Sequence, residues 1–132
     1  MKQTQIKLVS LVVVMILASL ACSASTANIS DAYMAFDENG DNPTTSFSQS
    51  DDLYAIIVLA NAPDETKLGV EWVAQDVDGY DPDFFIDSAE TVDNSGQFYF
   101  FLTNTDLWPT GTYRVDIYLN DELDQSINFT VR

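Results

Sequence analysis

The sequence predicts an all-β fold, a sandwich or barrel of antiparallel strands. After residue 28 no window carries a sustained helical period, and apolar residues either alternate with polar ones or run in short bursts. Clusters of Asp, Asn, Gly and Pro separate these bursts at intervals of about 8–15 residues. Short strands with regularly spaced turn signals are typical of β-sandwiches.

About seven main strands are predicted, at residues 29–36, 53–60, 67–75, 83–87, 97–103, 112–119 and 123–131. In the third strand Trp72 alternates in phase with Leu68 and Val70, so its side chain is predicted to face the core. Between the last two strands, Asn120 and Asp121 predict a tight hairpin because both residue types tolerate positive φ.

Residues 1–21 have the organisation of a signal peptide. Lys2 and Lys7 precede a run of thirteen mostly apolar residues, 8–20, and the small residue Ala21 follows it. As a helix this run would reach about 20 Å at 1.5 Å per residue, short of the roughly 30 Å hydrocarbon core of a bilayer. We therefore expect a cleaved leader and no permanent membrane span.

The end of the leader, Ala18 to Cys22 (ASLAC), resembles the lipobox of bacterial lipoproteins. It departs from the usual pattern at Ser19, where that family carries leucine. The resemblance implies cleavage before Cys22 and attachment of a diacylglycerol to its thiol. Cys22 is the chain's only cysteine, and a lone thiol on an exported protein would otherwise be reactive.

The same resemblance implies a location. The protein would be exported and lipid-anchored in the cell membrane or outer membrane, with its domain facing the periplasm or the exterior. Ser23 stands where an inner-membrane retention signal would have Asp, and residues 22–28 would form a short tether. Ordinary secretory cleavage remains the alternative, after Ala21, Ala24 or Ala27.

Acidic residues dominate the charge. The chain has 21 acidic and five basic residues, a net charge of −16. Two of the basic residues lie in the leader, so the remainder carries three basic against 21 acidic residues, a net charge of −18. Such a field repels phosphate backbones, which excludes nucleic acid as a partner, and attracts cations or basic proteins. Solubility alone is the simpler explanation for the acidity.

Catalysis is not expected. The sequence contains no histidine, and its one cysteine lies in the leader region, which excludes histidine-dependent triads, thiol chemistry in the domain and the usual zinc sites. Carboxylates alone can hydrolyse glycosides. However, no Asp or Glu stands in a clearly apolar sequence context, so we predict that the protein is not an enzyme.

Three features of residues 29–132 resemble immunoglobulin-like and fibronectin-type-III-like domains of bacterial exported proteins. Trp72 lies in the middle of the third strand, the segment from Trp108 to Tyr113 resembles a tyrosine corner, and residues 113–131 match the closing hairpin. The resemblance implies a single immunoglobulin-like antiparallel β-sandwich without an internal disulfide. It also implies that the Tyr113 hydroxyl bonds backbone within residues 106–111.

Two acidic loops, residues 37–41 and 76–83, alternate Asp with Gly in a way that resembles calcium-binding loops. In an immunoglobulin-like sandwich these loops emerge at one pole. No cofactor is expected except possible calcium, with candidate ligands Asp37, Asp41, Asp76, Asp78 and Asp81. The alternative is that these residues simply form turns.

Two predicted strands, 53–60 and 97–103, are apolar on both faces. If one face fills the core, the other forms an outward apolar patch that marks an interaction surface. Its members would be Tyr54, Ile56, Val58, Tyr99 and Phe101. Alternatively, the N-terminal segment or the loop at 42–52 covers them.

Together these features predict a non-catalytic cell-envelope lipoprotein. It would be held to the membrane by its lipid and would present an acidic β-sandwich for protein or envelope interactions. The alternative function is a ligand-binding module, for calcium or for a carbohydrate stacked on Trp108, Tyr80 or Tyr118.

Overall fold

A computed structural model describes residues 26–132; the predicted signal peptide and Cys22 lie outside the described residues. Within this range the chain forms eight strands and no helix that could cross a bilayer. The strands are β1 (Asn28–Ala35), β2 (Ser46–Phe47), β3 (Leu53–Ala60), β4 (Thr66–Val77), β5 (Phe84–Asp93), β6 (Gly96–Leu102), β7 (Gly111–Leu119) and β8 (Glu122–Val131).

The strands form two sheets that pack face to face. One has three strands in the order β1-β3-β6, and the other has five in the order β2-β8-β7-β4-β5. Every pairing is antiparallel except that of β2 with β8. The predicted all-β sandwich is confirmed.

Aromatic side chains occupy the centre of the core. Trp72 is buried as predicted, Tyr113 is buried as well, and both contact the buried side chain of Phe129. The rings of Tyr113 and Phe129 stack with centroids 5.5 Å apart, while Trp72 meets Phe129 edge-on at 6.1 Å. Offset-stacked and edge-to-face pairs are the favoured geometries of aromatic rings.

The predicted tyrosine corner is confirmed. The Tyr113 hydroxyl donates a hydrogen bond of 2.5 Å to the carbonyl oxygen of Pro109, which lies inside the expected turn. A buried hydroxyl needs such a partner because an unsatisfied polar group in the core is costly. The bond therefore fixes the turn before β7 to the core.

The predicted hairpin between β7 and β8 is also present. Asn120 and Asp121 form its two-residue turn with φ values of 49° and 69°. The Asn120 side chain accepts a hydrogen bond of 3.0 Å from the backbone N–H of Lys67, which ties this turn to the start of β4.

Two strands differ from the prediction. The two-residue β2 was not predicted because no periodicity can be read over so short a segment; it pairs through Phe47 with Val131. The predicted fourth strand at 83–87 extends to Asp93. This strand, β5, lies at the edge of the larger sheet, where most of its residues are exposed, so its C-terminal half lacks the alternation that marks a half-buried strand.

Replacing Trp72 by alanine tests this packing. Trp72→Ala should lower the free energy of unfolding by about 3–5 kcal/mol, because it removes buried surface and leaves a cavity. Leu107→Ala is a matched control, since that side chain is 61% exposed and its loss should cost under about 0.5 kcal/mol. Urea unfolding measures both, and equal costs for the two variants would contradict the predicted core.

Tyr113 also makes stability depend on pH. Burial raises the pKa of Tyr113 from 10.0 to about 12. The folded state therefore holds this proton more tightly than the unfolded chain, and the associated stability is complete below pH 10 and is lost as the pH rises towards about 12.

The variant Tyr113→Phe lacks the hydroxyl group and therefore its hydrogen bond to Pro109. At neutral pH it should be about 0.5–1.5 kcal/mol less stable than wild type. Between pH 10 and about 12 that difference should shrink. Unfolding in urea at pH 7 to 11.5 measures it, and a difference that stays constant with pH would refute the assignment.

Candidate interaction surface

The outer face of the three-stranded sheet carries a cluster of aromatic side chains. Tyr54 of β3 pairs across the strands with Phe101 of β6, and Tyr99 lies two residues before Phe101 on the same face. The three ring centroids are 6.0–6.2 Å apart, and the rings of Tyr54 and Phe101 are stacked. We call these three residues the aromatic triad.

Alternation along the strands produces the triad. In β6, Phe98, Phe100 and Leu102 point into the core, which forces Tyr99 and Phe101 outward. Tyr99 is 46% exposed and Phe101 is 54% exposed, whereas Tyr54 is half-buried. Two large rings thus remain half in solvent on a sheet face that sequence reasoning had already assigned as outward.

One member of the predicted patch is not available. Ile56 faces outward with Tyr99 but is 0% exposed, so the prediction that it belongs to an open surface is wrong. The turn through Gly40 covers it: a Cβ at Gly40 would lie 3.1 Å from Ile56 Cγ1 and would clash with the hydroxyl of Tyr33. Val58, further along β3, is half-buried.

The covering turn is held by its own acidic residue. The Asp37 carboxylate accepts hydrogen bonds from the backbone N–H groups of Asp41 and Asn42, at 3.0 and 2.9 Å. The bond from Asp41 is the main reason that the pKa of Asp37 is lowered. The backbone of Asn39 then accepts a hydrogen bond from Gln97 of β6, which fixes the turn across the sheet.

Carboxylates lie near Tyr54 of the triad. Burial raises the pKa of Tyr54, and the neighbouring carboxylates of Asp52 and Glu38 raise it further, with a smaller effect from Asp37. Negative charge disfavours the tyrosinate form, which explains the direction. The triad is therefore an apolar aromatic surface in a negative field.

The two acidic loops make separate contacts. The 37–41 loop lies against β1, β3 and β6, whereas Asp78 accepts a hydrogen bond of 2.8 Å from the Thr110 hydroxyl. Asp76 and Asp81 are exposed. Within residues 26–132 no group of three or more acidic, Cys or His side chains is arranged to hold a metal ion.

Of the three aromatic residues predicted as candidates for carbohydrate stacking, Trp108 and Tyr80 line one small cavity, whereas Tyr118 lies elsewhere. Trp108 is buried, and its indole N–H donates 2.9 Å to the Asp51 carbonyl while its backbone bonds Gln49, so it offers no open platform. The sequence placed it on a loop, but that loop folds against residues 48–51. Tyr80 is exposed after β4, and Tyr118 is half-buried on the outer face of the larger sheet.

A charged network on the larger sheet was not predicted from the sequence. Arg114 on β7 pairs with Asp116 at 2.9 Å and with Asp83 at 2.8 Å, and Ser126 donates 2.5 Å to Asp116. The hydrogen bond to Asp116, then that to Asp83, raises the pKa of Arg114. The available signal was that Arg114 is one of only three basic residues after the leader.

The fold matches solved structures of low sequence identity. An immunoglobulin-like protein from Pseudomonas aeruginosa gives a TM-score of 0.55 at 17% identity, over 83% of this chain and 99% of that chain. The C-terminal domain of wzt gives 0.53 at 14% identity, over 80% of this chain and 73% of that one. This chain is thus an immunoglobulin-like β-sandwich, as its sequence predicts.

An alkylpurine DNA glycosylase from Pseudomonas fluorescens gives a TM-score of 0.52 at 11% identity, over 86% of this chain, but only 32% of the glycosylase is covered. The likeness at these identities concerns the fold alone. No protein-family model matches the chain, and no curated protein matches it.

Proposed function

We propose that this chain is a non-catalytic cell-envelope lipoprotein that binds a protein partner through the aromatic triad. The exposure of Tyr99 and Phe101 beside Tyr54 carries the proposal. Contiguous exposed apolar surface on a soluble domain marks an interaction site, and aromatic residues are enriched in the centres of protein interfaces.

The charge around the triad defines the partner. The carboxylates of Glu38 and Asp52 lie close enough to act on Tyr54, and the domain as a whole carries many more acidic than basic residues. Such a field accelerates encounter with a basic surface and repels an acidic one. The partner is therefore a protein with a basic rim around an apolar centre.

Lipid attachment at Cys22 fits the position of the triad. Strand β1 begins at Asn28, at the end of the sheet where Thr26 bonds Asn61, and it ends at Ala35, opposite Tyr54. Seven residue steps in a strand cover roughly 23 Å. A lipid at Cys22 would hold the Asn28 end near the membrane and present the triad on the far end.

The carboxylates favour a non-catalytic role. Asp116 is the only buried acidic residue in the part of the chain that the structure describes, and Arg114 and Ser126 both donate hydrogen bonds to its Oδ1. Asp83, the second partner of Arg114, is likewise ion-paired. A general acid or base must instead reach a substrate's proton.

The double variant Tyr99→Ser/Phe101→Ser tests the partner surface. With the purified domain as bait in an envelope extract of the native host, one basic protein should be enriched by wild type. The variant should reduce its recovery at least about 30-fold, since hot-spot residues contribute 2 kcal/mol or more. High salt should also weaken binding of this basic protein by the wild-type domain.

The double variant Val92→Ser/Leu123→Ser is the matched control, because these exposed apolar residues belong to the other sheet. It should recover the partner like wild type, and both variants should keep the wild-type melting temperature. Equal recovery by the triad variant and wild type would refute the proposed surface.

Lipidation has a separate test. Mass spectrometry of protein from its native host should find the mature N-terminus at Cys22 carrying acyl chains, and Cys22→Ser should release the domain from the membrane fraction. An unmodified N-terminus at residue 25 or 28 would show ordinary secretory cleavage and end the lipoprotein proposal. It would leave the test of the triad unaffected.

A further inference from the structure

A groove crosses the outer face of the larger sheet, on the opposite side of the sandwich from the triad. Its cavity volume is about 550 Å³, within the range of roughly 300–1,000 Å³ that is usual for small-molecule sites. Gly69 lies in its floor, in the middle of β4, between β7 and β5. We call the part of the groove above Gly69 the notch. Glycine is unusual in the interior of a strand because it destabilises the strand.

Packing does not require glycine at this position. A Cβ at Gly69 would meet the Ala89 carbonyl oxygen at 3.5 Å and Glu90 Cβ at 3.6 Å, which are ordinary van der Waals contacts. Gly69 is not among the residues with positive φ. Glycine inside a strand often marks the close approach of a ligand or of another backbone.

A neighbouring ring does not fill the notch either. Tyr118 is the cross-strand partner of Gly69, yet its nearest atom to the position of a Cβ is its own Cβ, at 4.0 Å. The Tyr118 hydroxyl instead donates a hydrogen bond of 3.2 Å to Glu71. The ring therefore stands beside the notch and leaves its floor open.

The walls combine one aromatic ring with polar groups of both kinds. Glu90 lies across the notch from Tyr118, and Glu71 follows Gly69 on the same face of β4. Lys67, on the other side, pairs with Asp121 at 3.2 Å. The notch thus offers carboxylate acceptors, an ammonium donor and an aromatic face, and its excess of carboxylates disfavours an anionic ligand.

We propose that this notch binds a neutral sugar residue. The apolar C–H face of a sugar ring stacks on Tyr118, while its hydroxyls donate to Glu71 and Glu90 and accept from Lys67. An open groove with one ring and several polar groups suits a polyhydroxylated ligand better than an apolar one, which needs an enclosed apolar pocket. The site does not depend on the proposed function of the triad.

The test is an NMR titration of the ¹⁵N-labelled domain with neutral methyl glycosides of glucose, galactose, mannose and N-acetylglucosamine. At least one should produce saturable shifts at the amides of Gly69, Ala89 and Tyr118. Gly69→Val should weaken that binding at least tenfold, with a melting temperature equal to or above that of wild type. Glu90→Gln should also weaken it, and it provides a second readout if Gly69→Val does not fold.

Three results would overturn the proposal. They are the absence of saturable shifts with all four glycosides, shifts located away from β4 and β5, and undiminished binding by Gly69→Val and Glu90→Gln. Ethylammonium chloride is included as a cationic probe. Saturable shifts with it alone would make the notch a cation site and would equally contradict a sugar ligand.

Discussion

The ring of Phe129 holds the larger sheet and the core together. It stacks on Tyr113, meets Trp72 edge-on, and contacts Phe47 at 5.6 Å, so one side chain joins β2, β4, β7 and β8. With no disulfide available in the domain, burial of apolar surface, to which these rings contribute, supplies the main favourable term in folding. The short parallel strand β2 depends on this cluster, because Phe47 is its only buried residue.

The unequal widths of the sheets explain where the proposed partner surface arises. Strand β6 ends the smaller sheet, and its inward residues are committed to the core, so its remaining large residues must face outward. The turn at Gly40 covers part of that face. On the outer face of the larger sheet, Arg114 pairs with Asp83 and Asp116. The groove at Gly69 lies on the same face.

Periodicity predicted what depends on strand parity and on local turn chemistry. The burial of Trp72 follows from alternation along its strand, and the turn at Asn120 follows from local residue chemistry. The tyrosine corner at Tyr113 was implied by the resemblance to immunoglobulin-like domains. Periodicity did not predict the burial of residues that are covered by segments distant in the sequence. The burial of Trp108 depends on Asp51, and that of Ile56 depends on Gly40, and neither contact leaves a pattern in the sequence.

Of the two candidate sites, one could be predicted from the sequence and the other could not. The triad could be predicted because alternation fixes which residues point outward, whereas the burial of Ile56, another residue of the predicted patch, could not. The notch at Gly69 could not be predicted, because the sequence does not show whether the space beside a glycine in a strand is filled or open. The acidic loops were conspicuous in sequence, but Asp37 bonds its own turn.

We propose that a partner binds the outer face of the smaller sheet. Site-specific photo-cross-linking in the native host tests it most directly, with the cross-linker placed at Tyr99 in one strain and at Leu123, exposed on the other sheet, in a second. We expect one discrete protein adduct from position 99 and none from position 123. The same adducts from both positions, or an adduct from position 123 alone, would contradict the account.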